Sequence, residues 1–344
     1  MDPVTQGVVG SLWALPAARR EQLRQAALVG WIGGMAPDLD VLIRSSTDTL
    51  LAIEYHRHFT HSLFFIPLGG LVVALVLWPL FRRRQSFARL TLFASLGYAS
   101  HGLLDTCTSY GTYLLWPLSE TRFAWNIVSV IDPLFSLPLL VLLAVHLWRR
   151  NRWALALAWA WGGIYLALAA YQNARAEAAL AGWARSQDLA VERLVAKPAF
   201  ANIILWRGLV DDGEQFHLVA IRTLPGGDAR FWPGGSVPRY QPPALPAGAQ
   251  LSRDLERFRH FSSDWLFRYR AYEADGERFV GDFRYAIDPA SQRPLWGVAF
   301  DPQRPESRAR YTTPRTVTDQ DRSAFFARLR GRDPSSEQKQ QESN

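Results

Sequence analysis

Residues 56–84 read HRHFTHSLFFIPLGGLVVALVLWPLFRRR, and this stretch decides what kind of protein the chain makes. Ser62 to Phe81 are twenty residues without a formal charge, closed by Arg82-Arg83-Arg84. At about 1.5 Å rise per residue, a helix of that length matches the roughly 30 Å hydrocarbon layer of a bilayer. Immediately before it stand His56, His58 and His61, three of the seven histidines in the chain. The combination predicts a membrane-spanning helix with a ligand-bearing polar cluster at one end.

Outward from this helix the apolar segments multiply. Ile127 to Trp148 and Trp153 to Tyr171 read as further spans, and Leu90 to Leu104 is apolar enough to cross although His101 breaks it and Asp105 follows. Val4 to Leu15 and Ala26 to Ile43 are shorter, or interrupted by glycine, Pro37 and two aspartates, and are predicted as partial or re-entrant helices covered by the others. The expected fold class is therefore an α-helical polytopic membrane domain of about six apolar segments followed by a soluble α+β domain. The arginines test this arrangement. Arg19, Arg20 and Arg24 lie between the first two segments, Arg82–Arg84 and Arg89 between the third and fourth, and Arg149, Arg150 and Arg152 between the fifth and sixth. Six crossings put all three basic loops on the cytoplasmic side and gather the His/Asp motifs at the opposite, periplasmic ends. The expected location is a bacterial inner membrane, multi-pass, with a periplasmic C-terminal domain.

The net charge of +7 is explained by these topogenic clusters, so no nucleic-acid partner is required. The start Met1-Asp2-Pro3 lacks a basic n-region, so no cleavable signal peptide is expected and insertion relies on the helices themselves. A single cysteine, Cys107, excludes an intrachain disulfide and reads as a small buried filler. No phosphate-binding loop, dinucleotide fingerprint or serine-nucleophile elbow is present.

Domain limits follow from composition: 1–171 membrane domain, 172–330 soluble domain, 331–344 a polar, disordered tail. Gln172 to Gln187 reads as a polar helical stretch leading into strands at Val191–Ala196, Ala201–Val210 and Gln215–Leu224, with Asp211-Asp212-Gly213 as a turn. Pro225 to Gly248 reads as a long irregular connection. A helix near Leu251–Phe261 and strands at Trp265–Glu273, Arg278–Ile287 and Trp296–Phe300 complete the domain.

Three motifs carry the chemistry. Pro37-Asp38-Leu39-Asp40 sets two carboxylates at the end of an apolar segment, where they are costly without a cation or a wet pocket; a solvated helix-terminal turn is the competing reading. His58 and His61 are three apart and would share a helical face, with His56 less directly placed; an interfacial pH-sensitive or lipid-headgroup patch is the competitor. His101 and Asp105 are four apart on one helix face, giving a nitrogen and an oxygen ligand or a hydrogen-bonded structural pair. Imidazole with carboxylate suits zinc, iron, nickel, copper or manganese. Asp132 is either a ligand or the N-cap before Pro133. Asp2, Thr5 and Gln6 either close the pocket or cap the first helix, and Arg57 and Arg122 either clamp an anion or lie on the surface. His146, His217 and His260 have no partner motif, and the tryptophans near the segment ends read as an interfacial belt.

The opening Met1-Asp2-Pro3-Val4-Thr5-Gln6-Gly7, the Pro-Asp-Leu-Asp, the His-Arg-x-Phe-Thr-His-Ser and the His-x-x-x-Asp-x-x-Thr-Ser-Tyr-Gly motifs together resemble the YdjM-like membrane-bound metal-dependent hydrolases, over about residues 1–171. Leu115-Trp116-Pro117-Leu118 and Ile131-Asp132-Pro133 are similar to family positions too. Many members carry Thr-His where this chain has Thr5-Gln6, which puts one site in question. The resemblance implies a divalent metal and hydrolysis of a phosphate-type ester, by analogy with zinc-dependent phospholipases C and related nucleases.

The expected activity is therefore metal-dependent hydrolysis of a phosphoester or lipid-linked substrate at the periplasmic face, with zinc first and manganese or iron as alternatives. Asp38, Asp40, His58, His61, His101 and Asp105 are the expected catalytic ligands, with His56 and Asp132 as further metal ligands. The other class is a non-enzymatic metal or proton transporter, or a scaffold with a structural metal. Transport calls for polar residues toward the cytoplasmic half of the spans, and few are found there.

Overall fold

The structure is a computed structural model that describes residues 1–274, 276–314 and 317–334. Its chain divides into two compact units, one of Met1–Ile43, Tyr55–Ala170 and Phe200–Asn202, the other of Arg44–Glu54, Tyr171–Ala199 and Ile203–Asn344.

The first unit is helical: α1 (Pro3–Ala14), α2 (Leu23–Met35), a 3-10 turn (Ala36–Leu42), α4 (Ile66–Phe81), α5 (Phe87–Thr106), α6 (Pro133–Arg149) and the start of α7 (Arg152–Ser186), while α3 (Leu51–Tyr55) falls almost wholly in the residues of the second unit. Two stretches are long and apolar enough to cross a membrane, Leu63–Phe81 and Arg152–Ser186, and α6 is a shorter apolar helix. On α4 the residues Leu71, Val72, Leu75, Val76 and Leu80 are exposed, as expected of a surface that meets lipid. The six crossings expected from sequence do not appear as six spanning helices. At about 1.5 Å per residue, α1 and α2 are each roughly 20 Å long, too short for the hydrocarbon layer. Helix α5 is not among the two long apolar stretches either, and it packs against α1, α2 and α4 with Leu90, Phe93 and Ala94 fully buried.

Small residues make that packing close. A Cβ on Gly10 or on Gly97 would overlap the Gly30 carbonyl, so α1, α2 and α5 approach backbone to backbone around Gly30. Helix α6 starts at Pro133, later than the expected Ile127, because Asp132 accepts from the Phe135 amide and caps it. The preceding Ile127 and Val128 amides both donate to the Cys107 carbonyl and so stay outside the helix. The stretch expected as a separate polar helix, Gln172–Gln187, runs on from the apolar helix as the end of α7.

In the second unit β1 (Arg193–Pro198), β2 (Leu205–Asp211), β3 (Gln215–Arg222) and β4 (Arg230–Pro238) form an antiparallel sheet in sequence order. The Asp211-Asp212-Gly213 turn forms between β2 and β3, with Gly213 at φ +93° and the Asp212 carboxylate accepting the Gln215 amide at 2.6 Å. Strand β4 falls where an irregular connection was expected. Pro233 and two glycines are tolerated because β4 is an edge strand with a bulge opposite Leu218/Val219. After α8 (Gln250–Phe261) a second antiparallel sheet follows, β5 (Leu266–Arg268), β6 (Arg278–Asp282), β7 (Gly297–Phe300) and β8 (Arg310–Thr312), then α9 (Asp319–Leu329). Leu209, Phe216, Leu218, Trp265, Phe267 and Phe283 join the two sheets in one core. Strand β8 and helix α9 were not expected from sequence, and most of the 331–344 tail, residues 335–344, lies outside the described residues.

Residues Arg44–Glu54, read from sequence as part of the membrane domain, cluster with the second unit. The cause is Arg257 of α8, which donates to Asp48 at 3.0 and 3.1 Å, to Glu54 at 2.5 and 2.6 Å and to Asp254 at 2.9 Å.

Candidate metal centre

Three local structures deliver the polar side chains. Pro37 near the start of the 3-10 turn Ala36–Leu42 tightens the chain so that Asp38 and Asp40 leave it in different directions. A second 3-10 turn, Phe59–His61, presents His61, while His101 and Asp105 stand one above the other on the last turns of α5. Gly102 makes the meeting feasible: a Cβ there would overlap the His61 carbonyl.

His61 and His101 face each other with Nε2 atoms 2.9 Å apart. Both Nδ1 atoms are engaged elsewhere. His101 Nδ1 lies 2.6 Å from the Gly34 carbonyl, which can only accept, so Nδ1 carries the proton. The Thr60 hydroxyl donates to Asp40 Oδ2 at 3.1 Å and therefore accepts from His61 Nδ1 at 3.0 Å. Each Nε2 is thus left as a lone pair, and two lone pairs at this distance repel unless a cation or a proton lies between them.

Two carboxylates complete the set. Asp38 Oδ1 is 3.4 Å from both Nε2 atoms, and Asp105 Oδ2 is 3.3 Å from His61 Nε2 and 3.5 Å from His101 Nε2. Asp105 is fully buried, and its Oδ2 accepts no well-aligned hydrogen bond, its charge being faced by Arg57 Nε at 3.1 Å, so the oxygen keeps lone pairs for a ligand role. Ligands at zinc distances of 2.0–2.1 Å in a tetrahedral shell stand about 3.3 Å from one another. The observed separations of 2.9 to 3.5 Å bracket that edge length. Asp38, His61, His101 and Asp105 therefore fit a metal ion as one nitrogen-and-oxygen set.

The remaining expected residues separate into different places. Asp40 is an orienting group for its neighbours: its Oδ2 accepts from the Arg57 amide at 2.8 Å and from Thr60, and its Oδ1 bonds His56 Nδ1 at 2.8 Å. Asp38, Asp40 and His56 form a second, partly exposed grouping of metal-ligand type. His58 does not share a face with His61. His58 itself has φ −95° and ψ −128°, off the 3-10 turn Phe59–His61 that follows it, and its ring packs 4.7 Å from Tyr113 and 5.5 Å from Trp116. Asp132 is also elsewhere, accepting from the Tyr165 hydroxyl at 2.7 Å while it caps α6. Gln6 reaches the centre indirectly, its Nε2 donating to Asp105 Oδ1 at 2.9 Å while its own Oε1 is buried without a partner. The Met1 amine also contacts Asp105 Oδ1.

Arg57 is more central than its sequence reading suggested. It is buried, with Nε 3.1 Å from Asp105 Oδ2, one terminal nitrogen donating to Thr108 at 2.8 Å, and the guanidinium 5.0 Å from the centre of the Tyr110 ring. Thr60 and the Gly34 carbonyl were missed. Thr60 sat inside a motif already in view, whereas no sequence signal marks a backbone carbonyl as the partner of a histidine.

Comparison with known proteins places this geometry. Over 107 residues the chain is 37% identical to inner membrane protein YbcI of Escherichia coli (strain K12), a match covering 29% of this chain and 60% of that relative. The chain thus spans less than two thirds of the curated relative it matches. No solved structure matches it. Residues 1–176, which carry the whole His/Asp cluster, match the family model described as YdjM inner membrane protein, and the chain belongs to that family of inner membrane proteins.

Proposed function

We propose that the chain is a membrane-bound metal-dependent hydrolase acting on a phosphoester or lipid-linked substrate at the periplasmic face. The observation that carries this reading is the convergence of the His61 and His101 Nε2 atoms with the Asp38 and Asp105 carboxylates. A divalent cation held by Asp38, His61, His101 and Asp105, zinc first for a four-ligand set, would lower the pKa of a water molecule and polarise the ester.

The chain's own residues supply the rest. The Gly34 carbonyl and the Asp40–Thr60 pair lock each imidazole in the tautomer that keeps Nε2 unprotonated. Arg57, fixed by Thr108 and Tyr110, holds a positive charge beside Asp105, where it orients an anionic group on the substrate. His56, bound through Nδ1 to Asp40 and partly open to solvent, is placed to take a proton on Nε2 during attack and return it to the leaving oxygen. The topology belongs to the same proposal: the arginine loops around 19–24, 82–89 and 149–152 cytoplasmic, the second unit periplasmic.

The test is metal content of the detergent-purified protein by elemental mass spectrometry, beside a His61→Ala/His101→Ala double variant. Stoichiometric metal that is lost in the double variant, followed by phosphoester turnover that Asp105→Ala abolishes, is the expected result. A well-folded protein that takes up no divalent ion would overturn the proposal.

A further inference from the structure

Within the first unit a cavity of about 280 Å³ lies among α1, α5, α6 and α7. Its walls include Val9 and Leu12 of α1, Leu103 of α5 and Cys107 just beyond it, Leu139 of α6 and Leu166 of α7. Two polar wall atoms are already engaged with the backbone of their own helix. The Ser100 hydroxyl donates to the Gly97 carbonyl at 2.8 Å, and Cys107 Sγ lies 3.6 Å from the Leu103 carbonyl. Both donors are thus used inside the protein, the rest of the lining is aliphatic or aromatic, and an apolar space of this kind suits apolar matter.

Glycine creates the space. Around Gly30 an added Cβ would collide with a neighbouring helix, so glycine there serves close packing. At Gly162 an added Cβ would meet only Leu139 Cδ2, at 3.8 Å, and at Gly163 it would meet nothing within 4 Å. The same residue type therefore does the opposite on α7: it keeps a channel open beside a helix long and apolar enough to cross a membrane. Trp13 and Trp159 pair at 6.1 Å on the wall, and the half-exposed Trp125 lies toward the end where α5 finishes. Ile164, next to the glycine pair, is 66% exposed, so this stretch of α7 faces the hydrocarbon that surrounds a spanning helix.

We infer that this cavity is a binding site for one acyl chain of a bilayer phospholipid, entering sideways past Gly162 and Gly163. The site lies on a different face of α5 from His101 and Asp105, and the inference holds whether or not the His/Asp centre hydrolyses anything. The occupant is hydrocarbon because the lining is aliphatic and aromatic apart from Ser100 and Cys107, whose donors are directed at the backbone, and because the opening is on a helix long and apolar enough to cross a membrane.

The experiment uses the full chain reconstituted in phosphatidylethanolamine/phosphatidylglycerol vesicles doped with a phosphatidylcholine that carries a diazirine at the end of one acyl chain. After irradiation, labelled peptides are mapped by mass spectrometry. Label is expected to concentrate on Leu103–Cys107 and Gly162–Leu166, to persist in Gly163→Ala, and to be lost there in Gly163→Phe while the exposed α4 residues Leu71 and Val76 stay labelled. Leu139→Trp fills the cavity from α6 and should give the same loss if Gly163→Phe does not fold. Label on the cavity peptides no stronger than on α4, or unchanged by both filling variants, would overturn the inference. So would a cross-linked dimer joined through the same peptides, which would make a second copy the occupant. Metal content is read on every sample, so failure of the metal centre and failure of the lipid site are told apart.

Discussion

Gly102 and His61 are in backbone contact: α5 passes so close to the His61 carbonyl that there is no room for a Cβ at position 102. The contact sets the distance between the turn that carries His61 and the helix that carries His101, so it governs the 2.9 Å approach of their Nε2 atoms. Gly102→Ala should therefore push the two imidazoles apart. Overpacking of this kind costs about 1–3 kcal/mol. Metal bound per chain, by elemental analysis, should fall while the helical circular dichroism is retained; undiminished metal would show that His61 does not need this contact.

Asp40 touches both His61 and His56 but faces the centre less directly than Asp38. As an orienting group, its loss in Asp40→Asn should weaken metal affinity by about 10–100-fold. Asp38→Ala and Asp105→Ala, which remove ligand atoms, should abolish stoichiometric binding. Competition against a chelating dye ranks the three; equal losses would make Asp40 a ligand.

Gln6 is bonded to Asp105 with an unsatisfied Oε1 in a buried position. A histidine in its place would bring a fifth donor to the edge of the set, as the Thr-His of many family members suggests. Gln6→His is expected to tighten metal binding, measured in the same titration, and an unchanged affinity would show that the side chain at this position stays outside the centre.

Asp132 and His58 mark the limits of the site. Asp132→Ala removes the α6 cap and the Tyr165 bond, and should cost about 1–2 kcal/mol of stability. His58→Phe keeps the aromatic packing with Tyr113 and Trp116. Neither should change metal stoichiometry, and a loss of metal in either one would enlarge the centre beyond the four residues.

The Arg257 cluster gives the second unit a pH dependence. Partial burial raises the Asp48 carboxyl, but the hydrogen bonds and charge of Arg257 outweigh this and hold it below its ordinary value. A carboxyl lowered in the folded state adds stability that is present above its unfolded pKa and lost as pH falls through the folded one. Because these groups are partly exposed, the effect is about 1 kcal/mol. Arg257→Met should lower the melting temperature at neutral pH and flatten its decline in acid, below about pH 4. Parallel melting curves for the two proteins would assign the stability of this segment to other contacts.

The sequence alone determined what is local. A run of uncharged residues closed by arginines is legible as a stretch long and apolar enough to cross a membrane, because the bilayer demands length and apolarity of the segment itself. The His101–Asp105 pair was legible for the same reason, since four residues on a helix share a face by geometry. Tertiary structure alone decided the rest. His58 and His61 share a motif, but the non-helical backbone of His58, the 3-10 turn after it and the close pass of Gly102 send one ring into an aromatic pocket and the other to the candidate metal centre. Asp132 reads like a ligand until Tyr165, distant in sequence, bonds it. Likewise β4 reads like a loop until the edge of β3 supplies its partners. Each of these outcomes depends on a partner far away in the chain. Composition and spacing carry no record of such partners, because the free energy that selects them arises only when the surfaces meet.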